Sequence, residues 1–261
     1  MNKVNMADGT KVAARAMILA AGMGTRLRPL TDRMPKALVP VNGQPLIDIQ
    51  MEKLLSAGFS DITVNVHHFA DMLEDYVLTH YSDKANVHIS SEREKLLNTG
   101  GALKRARKYF HDCDDPSPVL VHNVDILSNA DLSALYSKAV GVDALLLVSK
   151  RNSSRGLFFD KDMRLVGWQN FKTGETKSSI AGFRPEDYVS YAFSGIHVIA
   201  PRALESMDHW GDEFSIIDFY IQEAAHLNIC GCVASADFRL LDVGKIDVID
   251  EAGKFLSSLN S

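Results

Sequence analysis

The chain has 261 residues, 46% apolar and 23% charged, which suits one large α/β domain or two modest ones and is ample for a packed core. Its net charge is −5, from 28 basic and 33 acidic residues, which argues against a general nucleic-acid binder and makes any cationic site local. No apolar run approaches the roughly 20 residues of a membrane span, and Cys113, Cys230 and Cys232 make no disulfide framework.

Residues 1–15 are polar and lack the apolar core of a signal peptide; they read as a short leader or a first hairpin strand, and the cytoplasm follows by default. Ala16 to Ala21 form an apolar run that reads as a buried strand. Ile47, Met51, Leu54 and Leu55 fall at helical spacing, closed by Gly58. DITVNVHH (61–68) alternates as a strand, Leu73, Tyr76 and Val77 mark a helix, and NVHIS (86–90) is a strand. A helix follows Thr99-Gly100-Gly101, with Leu103, Ala106 and Phe110 on one side. PVLVHNVDIL reads as one strand from Pro118 to about Asp125. Strand and helix alternate at a spacing that predicts right-handed crossovers and a mostly parallel sheet. Ligands of such sheets sit beyond the carboxyl ends of strands, where the Gly22 loop, the Gly100 loop and Asp125 all fall.

The second half is more mixed. Leu132 to Ala139 predicts a helix, 143–150 a strand, and LFFDKDMRLVGW a hairpin turning at Asp160-Lys161-Asp162. Residues 190–200 read as a strand, Ser215 caps a helix, CVASADFRLLDVG is strand-like, and a helix from about Lys245 closes the chain. The simplest reading is one domain over 16–261, preceded by the short leader 1–15, with the later β-rich part as a substrate-binding half.

Gly22-Met23-Gly24 followed by Arg26, Arg28, Arg33 and Lys36 resembles a phosphate loop but fits neither Walker A nor the dinucleotide fingerprint: Leu27 stands where each needs glycine. Two glycines let backbone approach a phosphate. Arg26 offers a forked donor and Lys36, set by Pro35, a point charge. That combination suits displacement at phosphorus, where charge spreads over the oxygens. His67 and His68 are adjacent in a strand, so they point to opposite faces and do not share a metal. Cys230-x-Cys232 beside His226 reads as partly buried thiols rather than zinc ligands.

LAAGMGTRLRPLTDRMPKALVPV resembles the signature of the sugar-phosphate nucleotidyltransferases, Gly-x-Gly-Thr-Arg followed by Pro-Lys. NTGGALK (98–104) looks like that family's second glycine loop, HNVDIL (122–127) its Asn-Gly-Asp metal segment, FSGIHV (193–198) its sugar-binding strand and LLDVG (240–244) its closing element. The resemblance is greatest to compact bacterial enzymes acting on N-acetylmuramate, mannose or heptose 1-phosphates. It implies a Rossmann-like, GT-A-like α/β fold with a mixed, mostly parallel sheet flanked by helices. It also implies a Mg²⁺-dependent transfer from an NTP, UTP or GTP, to a sugar 1-phosphate in nucleotide-sugar supply for cell-envelope polysaccharide. By carry-over, Ala20, Ala21 and Gly22 present backbone to base and ribose, and Gly24, Thr25 and Arg26 hold the β- and γ-phosphates. Lys36 neutralises the α-phosphate, Thr99, Gly100 and Gly101 contact the nucleotide, Ser194 and Gly195 the sugar, and Asp125 and Asp242 bind Mg²⁺.

Two departures stand out. Asn123-Val124-Asp125 has valine where the family has glycine, which is penalised if that glycine permits close approach of a ligand or a positive φ. Trp168-Gln169-Asn170 stands near the family's Glu-Lys-Pro, with Lys150 as a candidate replacement cation and Trp168 either core or sugar-side. Rival readings are a phosphocholine cytidylyltransferase, which needs an aromatic cage, and an inactive nucleotide sensor with Val124 as the lesion. Base, sugar and oligomeric state are not readable from the sequence.

Overall fold

Ala16, Met17 and Ile18 are each 0% exposed. Their strand, β1 (Arg15–Leu19), is walled on both faces, which is why it reads as an unbroken apolar run rather than an alternation. The structure, a computed structural model, describes residues 3–5, 11–110 and 117–259; Cys113 lies outside them. Lys3–Asn5 and Lys11–Ala13 pair antiparallel ahead of β1.

From β1 the chain runs through α1 (Leu46–Ser56), β2 (Asp61–Val66), α2 (Ala70–Tyr81), β3 (Asn86–Ser91), α3 (Asn98–Ala106) and β4 (Val119–Asn123). β1 pairs in parallel with β2 on one side and β4 on the other, and β3 adds in parallel outside β2. The direction of winding therefore reverses between β1 and β4. The loops leaving those two strands flank the crevice where such sheets place ligands.

The apolar run expected as one strand from Pro118 to about Asp125 is broken. β4 ends at Asn123, and β5 (Ile126–Ser128) leaves the main sheet. Val124 makes the turn. Its N–H donates to the Leu19 carbonyl at 3.1 Å, and its side chain is 2% exposed, packed in the core rather than held in the left-handed region. Valine therefore carries no positive-φ penalty here, although it does line the smaller cavity described below.

The second half comprises α4 (Leu132–Ser137), β6 (Ala144–Ser149), β7 (Arg155–Phe159), β8 (Leu165–Asn170), β9 (Thr176–Lys177), β10 (Val189–Ile199), α5 (Pro201–Ser206), α6 (Ile216–Glu223), β11 (Ile229–Val233), β12 (Leu240–Asp242) and α7 (Ile249–Leu259). Eleven residues long, β10 pairs antiparallel with β7 near its start and with β4 near its end, and also with β6. The ten-stranded sheet runs β9-β8-β7-β10-β4-β1-β2-β3, with β6 branching from β10 and β11 pairing in parallel on β6. It is parallel from β3 to β4 and largely antiparallel beyond β4. Apolar clusters cover both faces, one involving α1, α2, α4 and α7, the other α3, α5 and α6. Among the described residues no helix is long and apolar enough to cross a membrane.

Candidate active site

The loop after β1 is held from beneath. Asn65, 3% exposed near the end of β2, accepts from the N–H groups of Ala20 at 2.6 Å and Ala21 at 3.3 Å. Those two donors are directed inward. Among the described residues, the N–H groups of Gly22, Met23, Gly24, Thr25 and Arg26 have no intramolecular acceptor, which leaves them free to donate to an anion. Gly24 has φ +60, and a Cβ there would stand 2.8 Å from Thr31 Cγ2 and 3.0 Å from Lys36 Cβ. Only glycine meets both demands. Its carbonyl accepts from Leu27 N–H at 2.8 Å and from the Thr31 hydroxyl at 2.9 Å, which closes the loop.

Beyond the loop lies the charged centre. Lys36 donates to Asp125 Oδ2, their side chains 12% and 16% exposed. β12 pairs antiparallel with β5, setting Asp242 opposite Ile126, and Val243 N–H donates to the Asp125 carbonyl at 2.8 Å. Two carboxylates 117 positions apart thus become neighbours. Burial and then the charge of Asp125 push the Asp242 carboxyl above its ordinary pKa, while Lys36, Arg26 and Arg151 pull it back. A Cβ on Gly244 would lie 2.6 Å from Asp242 Oδ1 and 2.7 Å from Arg26 Nη2, so those two side chains share the space that glycine leaves.

Two cavities flank this centre. The smaller, about 180 Å³, is lined by Gly22, Lys36, Asn65, Thr99, Asn123 and Asp125 among others. The larger, about 460 Å³, is lined by Arg155, Trp168, Asn170, Lys177, Phe193 and Asp218 among others. They abut where the Thr99 hydroxyl accepts from Ile216 N–H at 3.0 Å, and where Asn123 lies against Gly195, next to Phe193. Lys177 Nζ lies 5.2 Å from the Trp168 ring centroid and 2.8 Å from Asp218 Oδ1. Trp168 is therefore a cavity residue. Trp210 instead packs on Phe214 and Phe219, with Nε1 donating to Glu223 at 3.0 Å.

The remaining site expectations fall as follows. Thr99 lines the smaller cavity; Gly100 and Gly101 do not. Gly100 N–H donates to the Phe214 carbonyl at 2.9 Å, and a Cβ on Gly101 would stand 2.0 Å from the Asp212 carbonyl oxygen. These glycines let α3 pack closely on the segment before α6. Ser194 is 0% exposed and lines neither cavity. Gly195 has φ +73 where the pairing of β10 with β6 shifts register. Lys150 lines neither cavity; beside it, Arg151 is one of the three cations that lower the Asp242 pKa, and its Nη2 donates to the Phe193 carbonyl at 2.8 Å. His67 Nδ1 lies 2.7 Å from the Glu92 carbonyl, and His68 Nε2 3.1 Å from that of Thr31. Burial raises the pKa of both Cys230 and Cys232. Among the described residues no cluster of three or more His, Cys, Asp or Glu could hold a metal ion. Asn65 and Arg151 carry no motif; the available signal for Asn65 was a polar amide within an otherwise apolar strand.

The nucleotidyl transferase family model matches residues 15–155, more than half of the chain. The chain is 31% identical over 224 residues to N-acetylmuramate alpha-1-phosphate uridylyltransferase of Caulobacter vibrioides, covering 83% of this chain and 86% of that protein. It is 26% identical to UTP–glucose-1-phosphate uridylyltransferase of Synechocystis, over 89% of this chain but 60% of that longer protein. The fold matches the crystal structure of HddC from Yersinia pseudotuberculosis complexed with GMP-PN, with a TM-score of 0.70 at 22% identity over 93% of this chain and 99% of that one. Loop, charged centre and likeness agree: the chain belongs to the nucleotidyl transferase family and is a nucleotidyltransferase.

Proposed function

We propose that this enzyme transfers a nucleotidyl group from UTP or GTP to a sugar 1-phosphate, giving a nucleoside-diphosphate sugar and pyrophosphate. The reading is supported by relatives named as uridylyl- and guanylyltransferases of sugar 1-phosphates. The observation that carries it is the Lys36–Asp125 pair, which shares one cavity with Gly22 and is brought beside Asp242 by the β5–β12 pairing. The nucleotide occupies the smaller cavity, in the half at about 16–130, with its β- and γ-phosphates on the Gly22–Arg26 backbone and the Arg26 guanidinium. The acceptor occupies the larger cavity, in the half at about 131–261. One of its phosphate oxygens, already anionic at neutral pH, attacks the α-phosphorus; the bond to the β-phosphate oxygen breaks, and pyrophosphate leaves. No general base is required, and the side chains act by position and charge. Lys36 exchanges Asp125 for the α-phosphate as charge develops there.

The donor set fits a hard divalent cation: two adjacent carboxylates, too few for an all-protein cage, leave positions for phosphate oxygens and water, as magnesium prefers. Asp125 and Asp242 would hold Mg²⁺, which when bound supplies charge neutralisation on the phosphates. We place the reaction in the cytoplasm, and among the described residues no helix is long and apolar enough to cross a membrane. Phosphocholine is a poor acceptor on this reading, because Lys177 already covers the Trp168 face that would receive a quaternary ammonium.

The test is pyrophosphate release with Mg²⁺, crossing UTP, GTP, CTP, ATP and dTTP against sugar 1-phosphates and phosphocholine. Release is expected with UTP or GTP and one sugar 1-phosphate, and is lost on chelation. Release with CTP and phosphocholine, or NTP binding without release in any pairing, would overturn the reading.

A further inference from the structure

We propose that Glu92 is a positioning residue for the nucleotide, acting through Asn65 on the phosphate loop; this rests on the function proposed above. Glu92 is 2% exposed, and both its carboxylate oxygens are engaged. Oε1 accepts from Asn65 Nδ2 at 2.7 Å and Oε2 from Leu97 N–H at 2.9 Å. Asn65 Oδ1 then takes the Ala20 and Ala21 N–H groups. The amide orientation is fixed from both sides. A carboxylate only accepts, so it demands the NH₂ of Asn65; two backbone donors demand its oxygen.

Three segments of the smaller cavity's wall are joined by this relay. Ala20 and Ala21 lead into the free N–H groups of Gly22 to Arg26, Asn65 lines the cavity itself, and Leu97 precedes Asn98 and Thr99 on the opposite side. Glu92 lines the cavity at no point, so its effect reaches the nucleotide only through what it holds. A neutral glutamine at 92 keeps the shape but breaks the pattern. Its NH₂ must face either Leu97 N–H or the Asn65 amide, or else Asn65 turns over and presents NH₂ to the loop. Every arrangement leaves two donors opposed in a buried place.

The same logic supplies a repair. With Asn65→Asp added to Glu92→Gln, the new amide donates to the carboxylate at 65 and accepts from Leu97 N–H, while that carboxylate accepts from Ala20 and Ala21. Every donor is again matched and the net charge is unchanged. Either single change should raise the NTP KM about tenfold or more, the worth of one buried hydrogen bond, while the sugar-phosphate KM stays within about twofold. The double variant should return to within about threefold of wild type. Hydrogen exchange at the Ala20 and Ala21 amides, read on the full chain without substrate, should speed up in each single variant and recover in the double.

A folded Glu92→Gln with wild-type NTP KM and wild-type exchange at Ala20 and Ala21 would overturn the proposal. So would a double variant no better than the product of the singles. If a single variant fails to fold, the double still decides: folded with native exchange supports the relay, unfolded overturns it. Native exchange in a protein that turns over no NTP would leave the relay standing and remove the functional reading instead.

Discussion

The two cavities are built by opposite means. The smaller is mostly backbone and loop: five N–H groups with no intramolecular acceptor, glycine where φ is +60, and two charged side chains, Lys36 from the β1–α1 connection and Asp125 from the turn after β4. The larger is side chains on antiparallel strands β7, β8 and β9 with the start of α6, a mixture of Arg155, Trp168, Lys177 and Asp218. A triphosphate is the same in every NTP, so a fixed backbone cradle serves it. An acceptor varies, and exposed side chains on strands can change without disturbing the sheet. Variation should therefore be tolerated on the larger side and punished on the smaller.

Breaking the smaller side should have the largest effect. Lys36→Ala or Asp125→Asn should lower turnover about a thousandfold, as loss of a charge aimed at developing phosphate charge does. Circular dichroism and the melting temperature should report a folded protein in both cases. Near-wild-type rates in either variant, at matched stability, would remove these residues from the chemistry.

The seam between the halves offers a second test. β4 and β10 pair through it, and each carries a buried histidine, His122 and His197, 0% and 1% exposed. Burial pushes both down to about 3; the Lys53 charge adds to the effect at His122, and His122 adds to it at His197. The folded values lie below the unfolded one near 6.5, so the folded state binds fewer protons. Their contribution is fully present above pH 6.5 and is lost as pH falls from there toward 3. Each histidine should contribute a slope of at most about 1.4 kcal/mol per pH unit in that window. Urea unfolding at pH 7 and pH 5 measures it, and His197→Leu should remove about half. A single transition seen by probes in both halves would show the seam failing as a unit; separate transitions would show two independent halves.

How much the sequence disclosed follows the same division. The smaller cavity was legible because backbone approach to phosphate needs glycine and cations at short, fixed spacing, and Gly22 to Lys36 supplies them within one stretch. Asn65 and Glu92 were not, because their pairing spans 27 positions and neither has a motif. Gly100 and Gly101 show a different limit: a glycine that admits a ligand and one that admits a packing helix look alike in sequence, and these two lie against Phe214 and Asp212. The run from Pro118 read as one strand because both sides of the turn at Val124 are apolar; only pairing separates β4 from β5. The larger cavity draws its lining from Ser153 to Asp218, with no spacing to read. There Lys177 is already paired with Asp218, whereas no carboxylate among the described residues pairs with Arg155. Arg155→Ala should accordingly raise the acceptor KM about tenfold, the value of one charge-assisted hydrogen bond, and leave the NTP KM unchanged. An equal rise in both would mean that the cavities do not divide the substrates as proposed.

The smallest effect is expected at Ser194, where the family resemblance implied a sugar contact. Its Oγ is enclosed and has no partner among the described residues, on a residue that lines neither cavity. Its half-buried neighbour Phe193 lines the larger cavity instead. Deleting a buried hydroxyl that makes no hydrogen bond strands no other group and removes a desolvation cost. Ser194→Ala should therefore leave the acceptor KM within about twofold and keep stability equal or raise it by about 1 kcal/mol. Steady-state kinetics with the acceptor varied, beside urea unfolding, measures both. A tenfold loss in acceptor KM with intact stability would mean that β10 turns this residue toward the ligand when the acceptor binds, and the positive φ of Gly195 would then mark where the strand moves.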